Sequence, residues 1–267
     1  MYQAYYGLTA DPFPKEMEVK NSFKSKDFEQ AFSRLEYLKS TKGFGLITGE
    51  PGVGKSFLLR SFTGSLNPNL YKVVYIPIST LTVSDFYRAL CDGLGVNPSF
   101  KKVQLFKQIQ EAIYTYHSKN VTPVIILDEA QFLKNSVLDD LRIIFNFEMD
   151  SKDYSIVILA GQTPFITQIN RQTHEALKQR IMVNYYLKGL SRDETKEYIV
   201  SRLKFAGRSD PIFTENAFEL IYSSTSGCLR VINSLARLSL NTGASKGLAS
   251  IDNEVILEAQ GEINITA

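Results

Sequence analysis

Two kinds of apolar pattern divide the chain. Four short runs, Phe44 to Thr48, Val73 to Ile78, Val124 to Leu127 and Ser155 to Ala160, are dense in β-branched or aromatic residues, as strands buried on both faces must be. Between them lie longer amphipathic stretches that read as helices. Strands alternating with helices predict right-handed crossovers and a mostly parallel sheet covered on both sides. The fold expected for roughly the first 190 residues is therefore α/β. Past Gly189 the period changes. Ser191 and Glu194 form a capping box that opens a helix through about Phe205. Helical stretches from about Thr214 to Ser226 and Leu229 to Leu240 come next, and Asp252 to Ala259 adds a fourth. The simplest division is an α/β domain over 1–188 and a small all-helical domain over 189–267. No internal repeat or low-complexity tract interrupts it.

Composition narrows the class. The chain has 267 residues, of which 44% are hydrophobic, enough for a sizeable core, and this excludes fibrous, disulfide-scaffold and disordered classes. With 30 basic against 28 acidic side chains the formal charge is +2, which argues neither for nor against nucleic acid, since a local basic stripe can hide in a balanced total. No apolar run approaches the ~18 residues of a spanning helix, and Met1 to Leu8 lacks the basic start and apolar stretch of a signal peptide. A cytoplasmic protein without membrane contact is expected. Cys91 and Cys228 have no CxxC neighbour and the two histidines, His117 and His174, are far apart, so these residue types offer no metal-ligand spacing.

The chemistry enters at Gly49-Glu50-Pro51-Gly52-Val53-Gly54-Lys55-Ser56, which satisfies GxxxxGK[ST] between a strand and a helix, with Phe57 next in line. Glycines let backbone N–H groups turn inward around phosphate oxygens at a helix N-terminus, where unsatisfied donors and the helix dipole favour an anion. Lys55 would reach the β- and γ-phosphates of ATP and the Ser56 hydroxyl would join the shell of Mg²⁺. Val124 to Leu127 ends in Asp128 and Glu129. Beside a phosphate loop, Asp128 would hold Mg²⁺ directly or through water, and Glu129 would orient and polarise the attacking water.

With these motifs in place the chain resembles AAA+ ATPases, and more narrowly the ExeA-type group that includes transposon-borne ATPases related to TniB, TnsC and IstB. The resemblance rests on Tyr6-Gly7-Leu8, Asp11-Pro12-Phe13, the Gly43 to Thr48 strand with its loop, Leu127 to Gln131, Leu159 to Gln162, Gln179-Arg180-Ile181, the Leu190 to Arg202 stretch, Ala206-Gly207 and Ser226 to Asn233. It implies a P-loop αβα domain with a helical lid. By resemblance, Gln162 takes the sensor-1 position, Arg180 the arginine finger that reaches a neighbour's nucleotide, with Arg171 and Lys178 as rivals, and Arg230 the sensor-2 position. Tyr6, Leu8 and Phe13 match the segment that covers adenine, although plain core packing serves them equally well.

The resemblance also implies an oligomer, as a ring or a helical filament, with nucleotide between subunits. Its leading functional expectation is a transposition helper: ATP-bound subunits assemble on double-stranded DNA and recruit or stimulate a transposase. A secretion-system ATPase of the ExeA kind and a replication-initiator or helicase-loader relative are the alternatives. The sequence ends at Ala267, soon after the lid, which favours the compact transposition type. Lys101, Lys102 and Lys107 form the densest basic cluster and are the candidates for contact with duplex backbone.

Overall fold

The computed structural model describes residues 2–14, 22–77 and 80–266. It groups the chain into two compact units, one of Gln30–Glu50 and Lys55–Leu187, the other of Met1–Glu29, Pro51–Gly54 and Lys188–Ala267. A short helix α1 (Tyr2–Tyr5) lies in the second unit, and α2 (Lys26–Thr41) begins there and continues into the first.

The first unit is built on β1 (Gly43–Gly49), β2 (Tyr71–Ile76), β3 (Thr122–Leu127), β4 (Ile156–Gly161) and β5 (Ile181–Leu187). Among the described residues these form one sheet in the order β2-β3-β4-β1-β5, with every pair parallel. The run expected over Val73 to Ile78 forms a strand two residues earlier, and Ile78 lies outside the described residues. Every residue of β1 and β4 is buried, which is why these segments read as continuous apolar runs rather than alternating ones. The crossovers are α3 (Lys55–Ser65), α4 (Val83–Leu94), α5 (Lys102–Ser118), α6 (Asn135–Ile144), α7 (Thr163–Ile169) and α8 (Glu175–Lys178). Thr82 caps α4 by accepting from the Asp85 N–H, and Gly95 ends it in the left-handed region. Strand order sets where the strand ends meet. With β4 between β3 and β1, the carboxyl ends of these three strands deliver Asp128, Gln162 and the Gly49 loop to one edge of the sheet.

The second unit contains α9 (Arg192–Phe205), α10 (Glu215–Thr225), α11 (Leu229–Ser245) and α12 (Asn253–Thr266). The capping box at Ser191 and Glu194 is present with both of its hydrogen bonds. Tyr2, Tyr6, Leu8 and Phe13 belong to the apolar core of these helices, with Tyr6 at 2% and Phe13 at 1% exposure. Buried polar groups tie the segment in: Arg202 Nε donates to the Pro12 carbonyl at 2.6 Å, and Tyr6 Oη to that of Leu248 at 3.0 Å. The N-terminal segment thus packs with the helices, whereas the division at 188 placed it with the sheet. Aromatic side chains near a terminus need an apolar cover wherever the fold provides one. Among the described residues no helix is long and apolar enough to cross a membrane.

Candidate nucleotide site

The loop after β1 is shaped by backbone that only glycine adopts cheaply. Gly52 and Gly54 have φ of +85° and +109°. At Gly52 a side chain would also collide with its neighbours, since a Cβ would stand 2.7 Å from Arg230 Cβ and 2.9 Å from Cys228 Sγ. This apex is held by the start of α11, where the Arg230 N–H donates to Gly52 O at 3.2 Å and the Cys228 thiol to Pro51 O at 3.3 Å. Val53 is buried. On the sheet side, Lys55 is 7% exposed, and its ammonium donates to the carbonyls of Gly49 at 2.7 Å and Glu50 at 2.9 Å. These carbonyls solvate a cation that would otherwise be costly to bury. The Glu50 carboxylate accepts from Thr163 Oγ1 at 2.5 Å and Tyr186 Oη at 3.4 Å, joining the loop to the ends of β4 and β5. Ser56 is exposed in the first turn of α3, and Phe57 is half-buried with the Arg60 guanidinium 5.9 Å from its ring centre.

The two carboxylates after β3 are organised differently. Asp128 is 5% exposed; Oδ1 accepts from the Glu129 N–H at 2.9 Å and Oδ2 from the hydroxyl of Tyr75 on the adjacent strand at 2.9 Å. Burial of the Tyr75 hydroxyl, and next its bond to Asp128, push that phenol up to about 12. Glu129 has φ 52° and ψ 40°, a left-handed conformation that costs a non-glycine residue about 1–2 kcal/mol. Its Oε2 accepts from Gln131 Nε2 at 2.5 Å and from Gln162 Nε2 at 3.2 Å. Gln162, the N-cap of α7 just past the end of β4, thereby reaches the carboxylate. Hydroxyl and carboxylate oxygens suit a hard cation, so Ser56 and Asp128 fit Mg²⁺, which when bound neutralises developing phosphate charge.

The remaining expected residues separate into exposed and engaged. Arg230 is exposed in the first turn of α11, where the helix dipole opposes a cation, a placement that folding alone does not favour. Arg180 has a 12% exposed side chain whose guanidinium donates to Arg142 O at 2.9 Å, Phe145 O at 2.7 Å and Asp153 Oδ1 at 3.2 Å, and stacks 5.1 Å from the Phe44 ring centre. A cleft of about 780 Å³ borders it, lined also by Phe106, Arg142 and Ile143. Arg171 and Lys178 are exposed. Lys102 is paired with Asp140 at 2.7 Å, while Lys101 and Lys107 are exposed. Lys102 and Lys107 lie about 140° apart around α5, so they do not share one face. The sequence pattern assigns no role to Tyr75, Gln131 or Thr163. For Tyr75 it could not, because only the pairing of β2 with β3 sets it beside Asp128.

Residues 38–169 match the AAA domain family. The matched region takes in the phosphate loop after β1 and the carboxylates after β3. It is 30% identical over 270 residues to General secretion pathway protein A of Aeromonas hydrophila, a match covering 100% of this chain and 48% of that protein, so the chain spans about half the length of that relative. It is 24% identical over 243 residues to the ATP-dependent target DNA activator B of Escherichia phage D108, covering 89% of this chain and 72% of that one. Among solved structures, Cdc6p from Pyrobaculum aerophilum shares the fold, with a TM-score of 0.67 and 13% identity over 97% of this chain and 70% of that chain. Phosphoryl transfer needs a phosphate cradle, a cation site and a carboxylate that can take a proton from water, and a glycine-shaped loop, a hydroxyl and carboxylates are the residue types that such chemistry uses.

Proposed function

We propose that this protein is an ATPase and a DNA-binding regulator of transposition. In the ATP state with Mg²⁺ it assembles as a homo-oligomer, ring or helical filament, on double-stranded DNA and recruits or stimulates a transposase, and hydrolysis resets the assembly. The observation that carries this reading is the likeness to target DNA activator B over most of both chains. Exposed Lys101 and Lys107 support a duplex-backbone contact that many subunits would multiply. Lys102 contributes less, being committed to Asp140. Lys55 with residues 49–54 and 56–57 binds the phosphates, Asp128 with Ser56 holds the cation, Glu129 is the base, and Gln162 and Arg230 sense the γ-phosphate. Arg180 acts in trans after release from its own carbonyl partners, and exposed Arg171 is the alternative finger. The whole-chain identity with General secretion pathway protein A favours a second reading, a secretion-type ATPase.

Purified Glu129→Gln protein, which should bind ATP and fail to turn it over, separates the two. Its binding to random-sequence duplex is read by anisotropy with ATP and with ADP, and its assemblies by electron microscopy. ATP-dependent assembly on DNA is expected. Oligomers with nucleotide but no affinity for DNA at low salt would transfer the assignment to the secretion-type reading.

A further inference from the structure

One side-chain amide joins the catalytic carboxylate to the sensor. Gln131 Oε1 accepts from the backbone N–H of Gln162 at 2.9 Å, and its Nε2 donates to Glu129 Oε2 at 2.5 Å. The orientation of this amide is forced, since a backbone N–H can only donate and a carboxylate only accept. The end of β4 makes room for it: at Gly161 a Cβ would stand 3.2 Å from Gln131 Oε1 and 3.2 Å from Phe165 Cβ. The Gln162 side chain adds a second donor to the same carboxylate oxygen at 3.2 Å. Both amides therefore converge on Oε2 of Glu129, and among the described residues no donor reaches Oε1.

We propose that Gln131 is a positioning residue for the ATPase: it anchors Glu129 by Oε2 to the start of α7, so that Oε1 is the oxygen presented to the attacking water. This rests on the reading of Glu129 as the base. In the step it serves, the water oxygen forms a bond to the γ-phosphorus. The bond from that phosphorus to the β–γ bridging oxygen breaks, its electron pair leaves with ADP, and the water proton passes to Glu129 Oε1. An unanchored carboxylate on a left-handed backbone has several rotamers, of which few face the water, and misplacement by an ångström costs up to about a hundredfold in rate. The amide also makes base and sensor one body, because any shift of the α7 start is carried by Gln131 to Glu129.

The test compares Gln131→Met, which keeps the side chain's length without its polar atoms, and Gln131→Glu, which can still accept from Gln162 but cannot donate to Glu129. Steady-state hydrolysis, affinity for a fluorescent ATP analogue and thermal melting are measured for each. Both variants should lose about tenfold to a hundredfold in kcat, with analogue affinity and melting temperature unchanged. Placed in the Glu129→Gln background, Gln131→Met should add less than about twofold further loss, because it acts only through the carboxylate. The proposal is overturned by wild-type kcat in Gln131→Met, by wild-type kcat in Gln131→Glu alone, by parallel loss of affinity and melting temperature, or by a full further loss in the Glu129→Gln background. Hydrolysis by Glu129→Gln at the wild-type rate would instead sink the assignment of the base itself.

Discussion

The turn ahead of β5 and the first turn of α11 each carry an arginine that resemblance assigns to the nucleotide, and their surroundings differ sharply. Arg180 has its charge satisfied by two carbonyls and a carboxylate of its own chain and lies against Phe44. Arg230 stands exposed at a helix start, against the dipole, with its backbone on Gly52. A motif position fixes where a side chain begins. What the tip is doing depends on which acceptors the fold sets within reach. Arg180 is first a structural residue of the sheet unit; Arg230 has little structural reason to be an arginine.

Substitutions can separate the two. The largest effect is expected from Arg180→Ala, which leaves a half-buried carboxylate and two carbonyls unpaired and should cost about 2–4 kcal/mol of stability. Calorimetry would show this as a fall of roughly 4–16 °C in melting temperature. A melting curve like that of wild type, with turnover lost only in the oligomer, would restore Arg180 to a role purely in trans. Gly52→Ala comes next, since both its φ and the close approach of Arg230 and Cys228 forbid a side chain. Nucleotide affinity, followed by titration calorimetry, should drop about tenfold or more. Arg230→Ala should melt within about 1–2 °C of wild type, because exposed substitutions rarely exceed ±0.5 kcal/mol. It should nevertheless hydrolyse ATP about tenfold more slowly, and equal turnover would remove it from the site.

The smallest expected effect concerns Tyr75. Its phenol is held protonated to about 12, above the unfolded value of 10.0, so what it contributes to stability is complete below pH 10 and is lost as pH rises through about 12. The stability difference between wild type and Tyr75→Phe, from denaturant titrations at matched pH, should shrink over that window. A constant difference would mean that folding does not shift the phenol's titration. At neutral pH the same variant should need more Mg²⁺ for half-maximal turnover, as Asp128 loses a partner.

The phosphate loop, the strand ending in Asp128 and Glu129, and the capped helices after Gly189 were all legible in the chain, because each is a local matter. A glycine spacing, an apolar run or a Ser-x-x-Glu box constrains the backbone within a few residues, and periodicity reports burial directly. Boundaries slipped where tertiary pairing extends a strand, as at Tyr71 and Lys72, which join β2 because β3 offers them partners. The tertiary structure alone decided that Tyr75 holds Asp128, that Gln131 bridges Glu129 to Gln162, that Arg180 is bonded to Arg142, Phe145 and Asp153, and that Tyr6 and Phe13 pack among the C-terminal helices. Those contacts join residues up to hundreds of positions apart. Hydrogen bonds and apolar packing act over a few ångströms, so the order of strands and the docking of helices, which no local pattern encodes, choose their partners.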